Sequence, residues 1–335
     1  MGGLTKEGNN ILDKRTPWGY SKSMEPKTLQ DAILFFSDPV NCREYLVARR
    51  WPKGVVCPRC GSQNVLFLEN YKRWHCREKH PAPQFTLKTG TLMEDSAVGL
   101  DKWLTAIWMV VNCKNGVSSY EIKRALGVTQ KTAWFLDHRI RLMLEDEYRN
   151  KPLSGTVEMD ETFVGGKLKN MHKSKRPKGT GHSGKAVGAM AKTIVVGMIE
   201  RGGRVKAQVV KERTCEVLSR IAHDNIEAGS TLVTDEWGGY NTANFERAII
   251  NHAESYVRGL VHTNGIENFW SLLKRGLNGT YVSVEPFHLF RYIDEQAFRF
   301  NNRKLTDAQR FDIATRGMVG KRLTLADLTG KTSEA

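Results

Sequence analysis

Apolar residues recur at intervals of three and four over two long parts of the chain, and this spacing predicts helices. The first part covers residues 24–51 and has a proline near the start of each of two helices. The second runs from residue 100 to about residue 148 and is broken once, at LGVTQKT. Residues before Ser23 show no sustained period, so we expect a mobile arm there.

Short stretches with the character of β-strands lie between these two helical parts. From Trp51 to about Asp95 they alternate with turns, as GSQNVLFLE, YKRWHC and PQFTLKTGT. Stretches of this length bury too little apolar surface for a hydrophobic core of their own. We therefore expect another interaction to hold this segment together.

Strands return after NKPLSGT at residues 150–156. The pattern predicts a strand in TVEMDETFVGG, a hairpin over RGG, a helix in CEVLSRIAHDNI, a strand in STLVTDEW and then helices. This order is typical of a mixed α/β domain. A Gly-rich, strongly basic insertion at residues 165–185 separates the first two strands, and we expect a flexible loop there.

The charge of the chain indicates the class of partner. Its 51 Lys and Arg against 36 Asp and Glu give a net charge of +15. Counterion release favours contacts between cations and phosphates, so nucleic acid is the expected partner. The longest apolar runs, such as AIWMVV, fall far short of the roughly 20 residues of a membrane span. The polar first thirty residues show no signal peptide, and we expect a cytoplasmic, nucleoid-associated protein without membrane contact.

Three cysteines and a histidine have the spacing of a structural zinc site. Cys57 and Cys60 form a Cys-x2-Cys pair, Cys76 follows, and His80 comes after three intervening residues. His75 is an alternative fourth ligand, although the spacing favours His80. The alternative is that two reduced cysteines lie in a turn and a third is buried in a core, without a metal ion. A bound Zn²⁺ would stabilise a segment that cannot stabilise itself.

SSYEIKRALGVTQKTAWFLDHRIRLML, at residues 118–144, predicts a helix-turn-helix. Ser118 before Glu121 is an N-cap signature, and Gly127 permits a sharp turn. A recognition helix would begin near Thr129 and present its first residues to base edges. These residues are Gln130, Lys131 and Thr132. Candidates for phosphate contacts are Lys131, His138 and Arg139. An ordinary helical hairpin within a core is the alternative.

Three acids of the α/β domain fall where such sheets gather ligands. Asp160 lies within or at the end of a strand, Asp235 follows an apolar strand, and Glu267 opens the helix of IENFWSLLKR. Carboxylates that converge there would suit two hard cations such as Mg²⁺. Glu267 alone could be a helix cap. Lys274, two turns further on the same face, and Arg275 could then meet DNA.

The order CPRCG, helix-turn-helix, VEMDETFVGGK, LVTDEWGGY and HTNGIENFWSLLKRG resembles that of bacterial insertion-sequence transposases with an N-terminal zinc ribbon and an RNase H-like DDE domain. The resemblance runs from about Trp51 to Arg303. It implies an RNase H-like core and a triad of Asp160, Asp235 and Glu267 that holds Mg²⁺ or Mn²⁺. It also implies a DNA-contacting basic residue at Lys274.

Other residues near the triad leave the ligand set open. His262 or Asn264 could approach the metals, and Glu158 lies on the same strand face as the first aspartate. Glu161 and Glu236 are less suited, because successive strand side chains face opposite ways.

The expected function is a transposase that binds double-stranded DNA, at the ends of its element and at the target, and cleaves and joins it by phosphoryl transfer. Pairing two ends suggests a homo-oligomer on DNA. Cations of the basic insertion could clamp DNA or simply be solvated, namely Lys173, Lys175, Arg176 and Lys178. Alternatives are a DNA-binding regulator with a non-catalytic RNase H-like domain, and a structure-selective nuclease.

The expected architecture is multidomain α/β. Its parts are an N-terminal arm and helix at 1–50, a zinc ribbon at 51–98, a helix-turn-helix region at 99–150, an RNase H-like DDE domain at 153–305 and a C-terminal tail at 306–335.

Overall fold

A computed structural model describes residues 25–145, 151–166, 172, 192–235, 245–250 and 263–330. The chain forms two compact units. The first consists of Met1–Trp108 and Asp307–Arg322, and the second of Met109–Thr306 and Leu323–Ala335. The first unit is therefore assembled from two distant parts of the sequence.

The described helices are α1 (Leu29–Phe36), α2 (Pro39–Arg50), α3 (Leu100–Asn112), α4 (Ser119–Leu126), α5 (Gln130–Met143), α6 (Cys215–Asn225), α7 (Asn264–Arg275), α8 (Leu289–Asn301), α9 (Asp307–Arg316) and α10 (Leu325–Thr329). The described strands are β1 (Val65–Leu68), β2 (Arg73–Cys76), β3 (Gln84–Phe85), β4 (Thr156–Val164), β5 (Thr193–Glu200), β6 (Val205–Val210), β7 (Thr231–Asp235) and β8 (Glu246–Ile250). A π-helical turn, Gly276–Tyr281, continues α7.

The first two helices begin where the sequence supplies caps. Thr28 and Asp31 form a capping box at the start of α1, which satisfies backbone amides that the helix cannot pair itself. Asp38 accepts from the Val40 amide before α2, and Pro39 occupies the first helical position. The predicted pair of helices with a proline near each start is confirmed for residues 29–50.

An aromatic cluster joins both ends of the sequence in the first unit. Phe36 of α1 and Tyr45 of α2 pack on Phe311 of α9, with ring centroids 5.7 and 5.5 Å apart. Trp108 of α3 lies 4.9 Å from the same Phe311 ring. All four side chains are buried, so α9 completes the core of this unit.

The first unit also holds a small antiparallel sheet with the order β1-β2-β3. Trp74 of β2 stacks on Phe85 of β3 and meets Trp51 edge to face. These three rings are buried, but the strands are only four, four and two residues long. A sheet of this size buries too small a core to fold without a further stabilising interaction.

The second unit contains a five-stranded mixed sheet with the order β6-β5-β4-β7-β8. The pairs β4–β5 and β5–β6 are antiparallel, whereas β4–β7 and β7–β8 are parallel. Gly202 turns the β5–β6 hairpin with a φ of 70°, a conformation that favours glycine. The predicted strand, RGG hairpin, helix and second strand are confirmed, as is the mixed α/β class.

Helices cover both faces of this sheet. Successive side chains of β4 therefore face different helices. Val157 and Met159 face the core that includes α6 residues. Glu158 and Asp160 face the opposite side, where they bond to α7. Apolar residues of α7 and α8 fill that side with β5, among them Val195, Ile199, Ile266, Phe269, Leu273 and Ile293.

Helices α4 and α5 form a closely capped pair. Ser118 and Glu121 make the predicted capping box of α4, and Gly127 ends that helix in the left-handed region with φ 62°. Thr129 then accepts from the Thr132 amide and begins α5. The turn between the helices therefore lies where the sequence places it.

A buried ionic cluster ties α5 to α8. Glu295 of α8 accepts hydrogen bonds from Arg141 of α5, at 2.6 Å, and from Arg299 and Tyr281. Arg141 also donates to Asp137 at 2.7 Å. Burial alone would raise the pKa of Glu295, but the charges of Arg299 and Arg141 outweigh it and lower that pKa. The carboxylate is thus held ionised between two cations.

Three features depart from the sequence pattern. The segment from residue 100 has a second break between α3 and α4, where Gly116 has a φ of 84°. Strand β8 was not predicted, because ERAII is short and lacks a period of two. Residues expected to be a tail include α9 and α10. The predicted N-terminal arm lies outside the described residues.

Candidate functional site

The first candidate site is a cluster of four metal-binding side chains beside the small sheet. They are Cys57, Cys60, Cys76 and His80, and their ligand atoms all lie within 4.8 Å of one another. A tight turn presents the first pair, since the Gly61 amide donates to the Cys57 carbonyl. Three thiolates and one imidazole at such distances fit the tetrahedral site of a structural zinc ion.

The histidine of this cluster is His80 and not His75. The Cys57 Sγ lies 3.5 Å from His80 Nε2, and His80 Nδ1 lies 2.9 Å from the Pro81 carbonyl oxygen. If Nδ1 donates to this carbonyl, Nε2 is left unprotonated and directed at the cysteines. His75 is instead paired within the sheet, opposite Leu66 and Gln84.

The local backbone also favours thiolate at the first cysteine. Burial raises the pKa of Cys57, but the backbone amides of Cys60 and Arg59 outweigh this effect and lower it to about 7. A thiolate is the form that binds zinc, so these amides favour the ligand form of Cys57.

The second candidate site lies on the α7 face of the five-stranded sheet. Asp160 is in the middle of β4 and half-buried, and its Oδ2 accepts a hydrogen bond from Trp270 Nε1 at 2.9 Å. Trp270 belongs to α7, so this bond links the strand to the helix that carries Glu267.

The strand register relates Asp160 to Asp235. Strand β7 pairs in parallel with the first half of β4, with Glu158 opposite Val233, and it ends at Asp235. At the same offset, two residues further along each strand, Asp160 of β4 corresponds to Asp235 of β7. The backbone of Asp235 therefore ends its strand at the level of Asp160.

Glu267 lies in the first turn of α7 and is exposed. Its Oε1 accepts from the Thr263 hydroxyl at 3.0 Å, and its amide donates to the Thr263 carbonyl. Two bonds to β4 flank it along the helix, one from the Ile266 amide to Glu158 and one from Trp270 to Asp160. These two bonds hold the first turns of α7, which carry Glu267, against β4.

The outer face of α7 is polar over its whole length. Its exposed residues are Asn264, Glu267, Asn268, Ser271, Lys274 and Arg275. Lys274 and Arg275 lie in the last turn, where cations also interact favourably with the helix dipole. The acid at one end and the cations at the other therefore share one accessible surface.

The three predicted DNA-contacting residues at the start of α5 differ in exposure and in hydrogen bonding. Lys131 is exposed, whereas Gln130 donates to the Ser119 hydroxyl at 3.2 Å. The Thr132 hydroxyl lies 2.9 Å from that of Thr129, at the helix cap. Lys131 is thus the most accessible of the three predicted base readers.

Two predicted phosphate contacts on α5 are wrong. His138 is fully buried, and burial, followed by the charge of Arg141, lowers its pKa to about 2. Arg139 is only 7% exposed, and its Nε donates to the Leu323 carbonyl. Both side chains lie on the part of α5 that packs inside the unit, which the start of the helix does not reveal.

The remaining candidate residues differ in whether they are buried, exposed or outside the described residues. Glu161 pairs with Arg213 at 3.0 Å, and its side chain is 2% exposed. Asn264 is exposed at the first position of α7. Glu236, His262 and the four basic-insertion residues Lys173, Lys175, Arg176 and Lys178 lie outside the described residues.

Sequence reasoning missed the residues that hold the second site together. Neither Trp270 of α7 nor Gly197 of β5 is a candidate from the sequence alone. Gly197 is paired with Asp160, and a Cβ there would lie 2.5 Å from the Trp270 ring. A glycine inside a strand is a recognised signal of a close approach, and here it marks the space that Trp270 occupies.

Comparisons with known proteins find transposase domains in two parts of the chain. Residues 38–78 match a transposase zinc-ribbon domain, and residues 152–301 match an ISXO2-like transposase domain. An uncharacterized protein in transposable element ISH50 of Halobacterium salinarum is 28% identical over 241 residues, which cover 68% of this chain and 80% of the relative. No solved structure matches the chain. Among the described residues, no helix has both the length and the apolar character needed to cross a membrane.

Proposed function

Because the chain belongs to the ISXO2-like transposases, with a transposase zinc ribbon ahead of the catalytic-type domain, we propose that it binds the ends of an insertion sequence and catalyses DNA strand cleavage and strand transfer. The observation that carries the proposal is the meeting of β4, the end of β7 and the start of α7 at one part of the sheet. These elements carry Asp160, Asp235 and Glu267.

The strand order supports an RNase H-like core for this domain. Three antiparallel strands are followed by two parallel ones, in the order β6-β5-β4-β7-β8, with helices on both faces. The catalytic acids of our proposal lie on the central strand, on its parallel neighbour and on a helix that packs against the central strand. Ligand sites of α/β sheets gather at such a change in strand order.

We assign Asp160, Asp235 and Glu267 as ligands of Mg²⁺ or Mn²⁺. The donors are carboxylate oxygens, which hard divalent cations prefer, and the described side chains of Asp160 and Glu267 are half-exposed and exposed. When bound, such ions activate a water or a 3′ hydroxyl and stabilise the leaving oxygen of phosphoryl transfer. Asn264 is an accessible neighbour of this set, at the first position of the same helix.

The chain's own residues bind and orient the DNA in this proposal. Lys274 and Arg275 are exposed on the face of α7 that carries Glu267, so they can hold a phosphate backbone beside the acids. Positioning of the scissile phosphate supplies much of the catalysis in phosphoryl transfer. Two element ends must be paired for strand transfer, and we therefore propose a homo-oligomer on DNA.

The α4–α5 pair is proposed as a helix-turn-helix that binds the element ends, with the zinc ribbon as a second DNA-binding part. The accessible cation at the start of the second helix supports this role, as does the net charge of +15. Gln130 and Thr132 contribute from the same turn, with their side chains also engaged in capping and helix pairing.

Strand cleavage and joining tests the proposal directly. A DNA fragment with this gene and its native flanks is incubated with wild-type protein, Asp235→Asn or the exposed control Asp224→Asn, in Mg²⁺ or in EDTA. We expect cutting and joining at the flank junctions by wild type and Asp224→Asn in Mg²⁺ alone, with a loss of more than about 100-fold in Asp235→Asn. Specific binding without cutting would support a regulator instead, and cutting without joining would support a nuclease.

Lys131→Ala is expected to weaken binding to element-end DNA and to reduce the slope of log affinity against log salt by about one, because one phosphate contact is lost. Fluorescence anisotropy at several salt concentrations measures both quantities. Lys211→Ala, which removes an exposed cation after β6, shows the effect of lower net charge alone. Equal slopes for the two variants would contradict a specific contact by Lys131.

A further inference from the structure

Two acidic residues of β4, Glu158 and Asp160, face α7, and they have different surroundings. Glu158 is 1% exposed, whereas Asp160 is half-buried. From the sequence both could be metal ligands, because they share a face of the strand. Their hydrogen bonds separate them.

Glu158 caps α7 from a distance of 108 residues along the chain. Its Oε2 accepts from the Ile266 amide at 3.1 Å, and its Oε1 lies 3.4 Å from Arg201 Nε. Ile266 is the third residue of α7, and the N-cap residue Thr263 makes no side-chain capping bond. A carboxylate at this position satisfies a first-turn amide and interacts favourably with the helix dipole.

The backbone of α7 approaches Glu158 closely enough to require a small residue. A Cβ at Gly265 would lie 2.8 Å from Glu158 Oε2. The first turn of α7 therefore packs directly against this carboxylate. Because Glu158 is almost fully buried, the bonds from Ile266 and Arg201 compensate for the loss of its hydration.

Trp270 makes the second link, one helical turn further on. Its indole donates to Asp160 Oδ2 at 2.9 Å, and its ring is 4% exposed. The ring fits because Gly197, paired with Asp160 in the sheet, carries no side chain. An alanine Cβ at Gly197 would lie 2.5 and 2.6 Å from two ring atoms of Trp270 and 2.9 Å from Ile266.

We propose that Glu158 and Trp270 are positioning residues that clamp α7 to β4, so that Asp160 and Glu267 form a preset pair of metal ligands. This rests on the proposed metal-dependent function. Glu158 is in this view not a ligand, because its carboxylate anchors the helix. An ionised carboxylate accepts at several sites, so the bond from Trp270 orients Asp160 and is compatible with metal binding.

The first test measures Mn²⁺ binding to the full chain by electron paramagnetic resonance. Asp160→Asn is expected to raise the Kd more than tenfold, since it removes a ligand charge. Glu158→Gln keeps an oxygen for the Ile266 amide and should raise the Kd far less, whereas Glu158→Ala should raise it roughly 10- to 100-fold. If Glu158→Gln weakens Mn²⁺ binding as much as Asp160→Asn does, Glu158 is a ligand and the proposal fails.

Trp270→Phe keeps most of the buried ring and removes the indole N–H. We expect it to raise the Mn²⁺ Kd about tenfold while affinity for DNA stays unchanged. Gly197→Ala should have a similar effect, because the added methyl group displaces the same ring. An unchanged Kd in Trp270→Phe would reduce Trp270 to a packing role and overturn its part of the proposal.

A second readout tests the clamp without metal. Amide hydrogen exchange over residues 263–270 should be faster in Glu158→Ala than in wild type and close to wild type in Glu158→Gln. Unchanged exchange in Glu158→Ala would overturn the clamp itself. Faster exchange in a protein that binds no Mn²⁺ would support the clamp and contradict the proposed catalytic function, so the two failures are distinguishable.

Discussion

His80→Ala is expected to release the zinc ion and to unfold the three-stranded sheet, whereas His75→Ala should retain both. The ligand atom of His80 lies within 4.8 Å of three cysteine sulfurs, and His75 is outside that group. Strands β1, β2 and β3 are only four, four and two residues long. Their small aromatic core cannot offset the conformational entropy of ordering the segment.

The expected effect is large because zinc binding and folding are one process in such small domains. Zinc-finger peptides gain about 10–16 kcal/mol from the ion at neutral pH. We therefore expect complete loss of protection from hydrogen exchange in β1 to β3 of His80→Ala, together with loss of bound zinc in a colorimetric assay. Retained zinc in His80→Ala, with its loss in His75→Ala, would reverse the assignment.

Glu295→Ala is expected to destabilise the second unit by roughly 3–5 kcal/mol, because it leaves two buried cations without their shared anion. Glu295 accepts from Arg141, Arg299 and Tyr281, and its side chain is fully buried. The two arginines are themselves at most 8% exposed, so water cannot take the place of the carboxylate. The loss should also loosen α5, which carries Arg141.

Chemical denaturation followed by circular dichroism measures this effect. Glu295→Gln keeps the volume and some hydrogen bonds but loses the charge, so its destabilisation should lie between wild type and Glu295→Ala. Glu212→Ala removes an exposed carboxylate and should change the free energy of unfolding by less than about 0.5 kcal/mol. Equal midpoints for Glu295→Ala and Glu212→Ala would contradict a structural role for the cluster.

The zinc cluster was predictable because its information is local. Cys57 and Cys60 share one turn, and the spacing to Cys76 and His80 spans a single hairpin. Spacing also favours His80 over His75, because His75 directly precedes Cys76 on β2 and successive strand side chains face opposite sides of the sheet. Similarly, Gly127 and its flanking caps define the α4–α5 turn within a few residues.

The support of the acidic site was not predictable in the same way. Parity along β4 places Glu158 and Asp160 on one face, but it does not tell which of them an α7 group will bind. That distinction depends on Ile266 and Trp270, more than 100 positions later. The burial of His138 likewise follows from packing inside the second unit, whereas the sequence of α5 shows only a helix with several cations.

The position of Phe311 has a consequence for synthesis of the protein. Phe36 and Tyr45 leave the ribosome early, but the ring on which they pack is encoded after the whole α/β domain. At about 5–20 residues per second, the delay is on the order of tens of seconds. During that time the N-terminal helices have only the contact between Phe36 and Tyr45 and lack the Phe311 ring, while the strands of the α/β domain can already pair. The chain is therefore expected to fold its middle first and to close its N-terminal unit last.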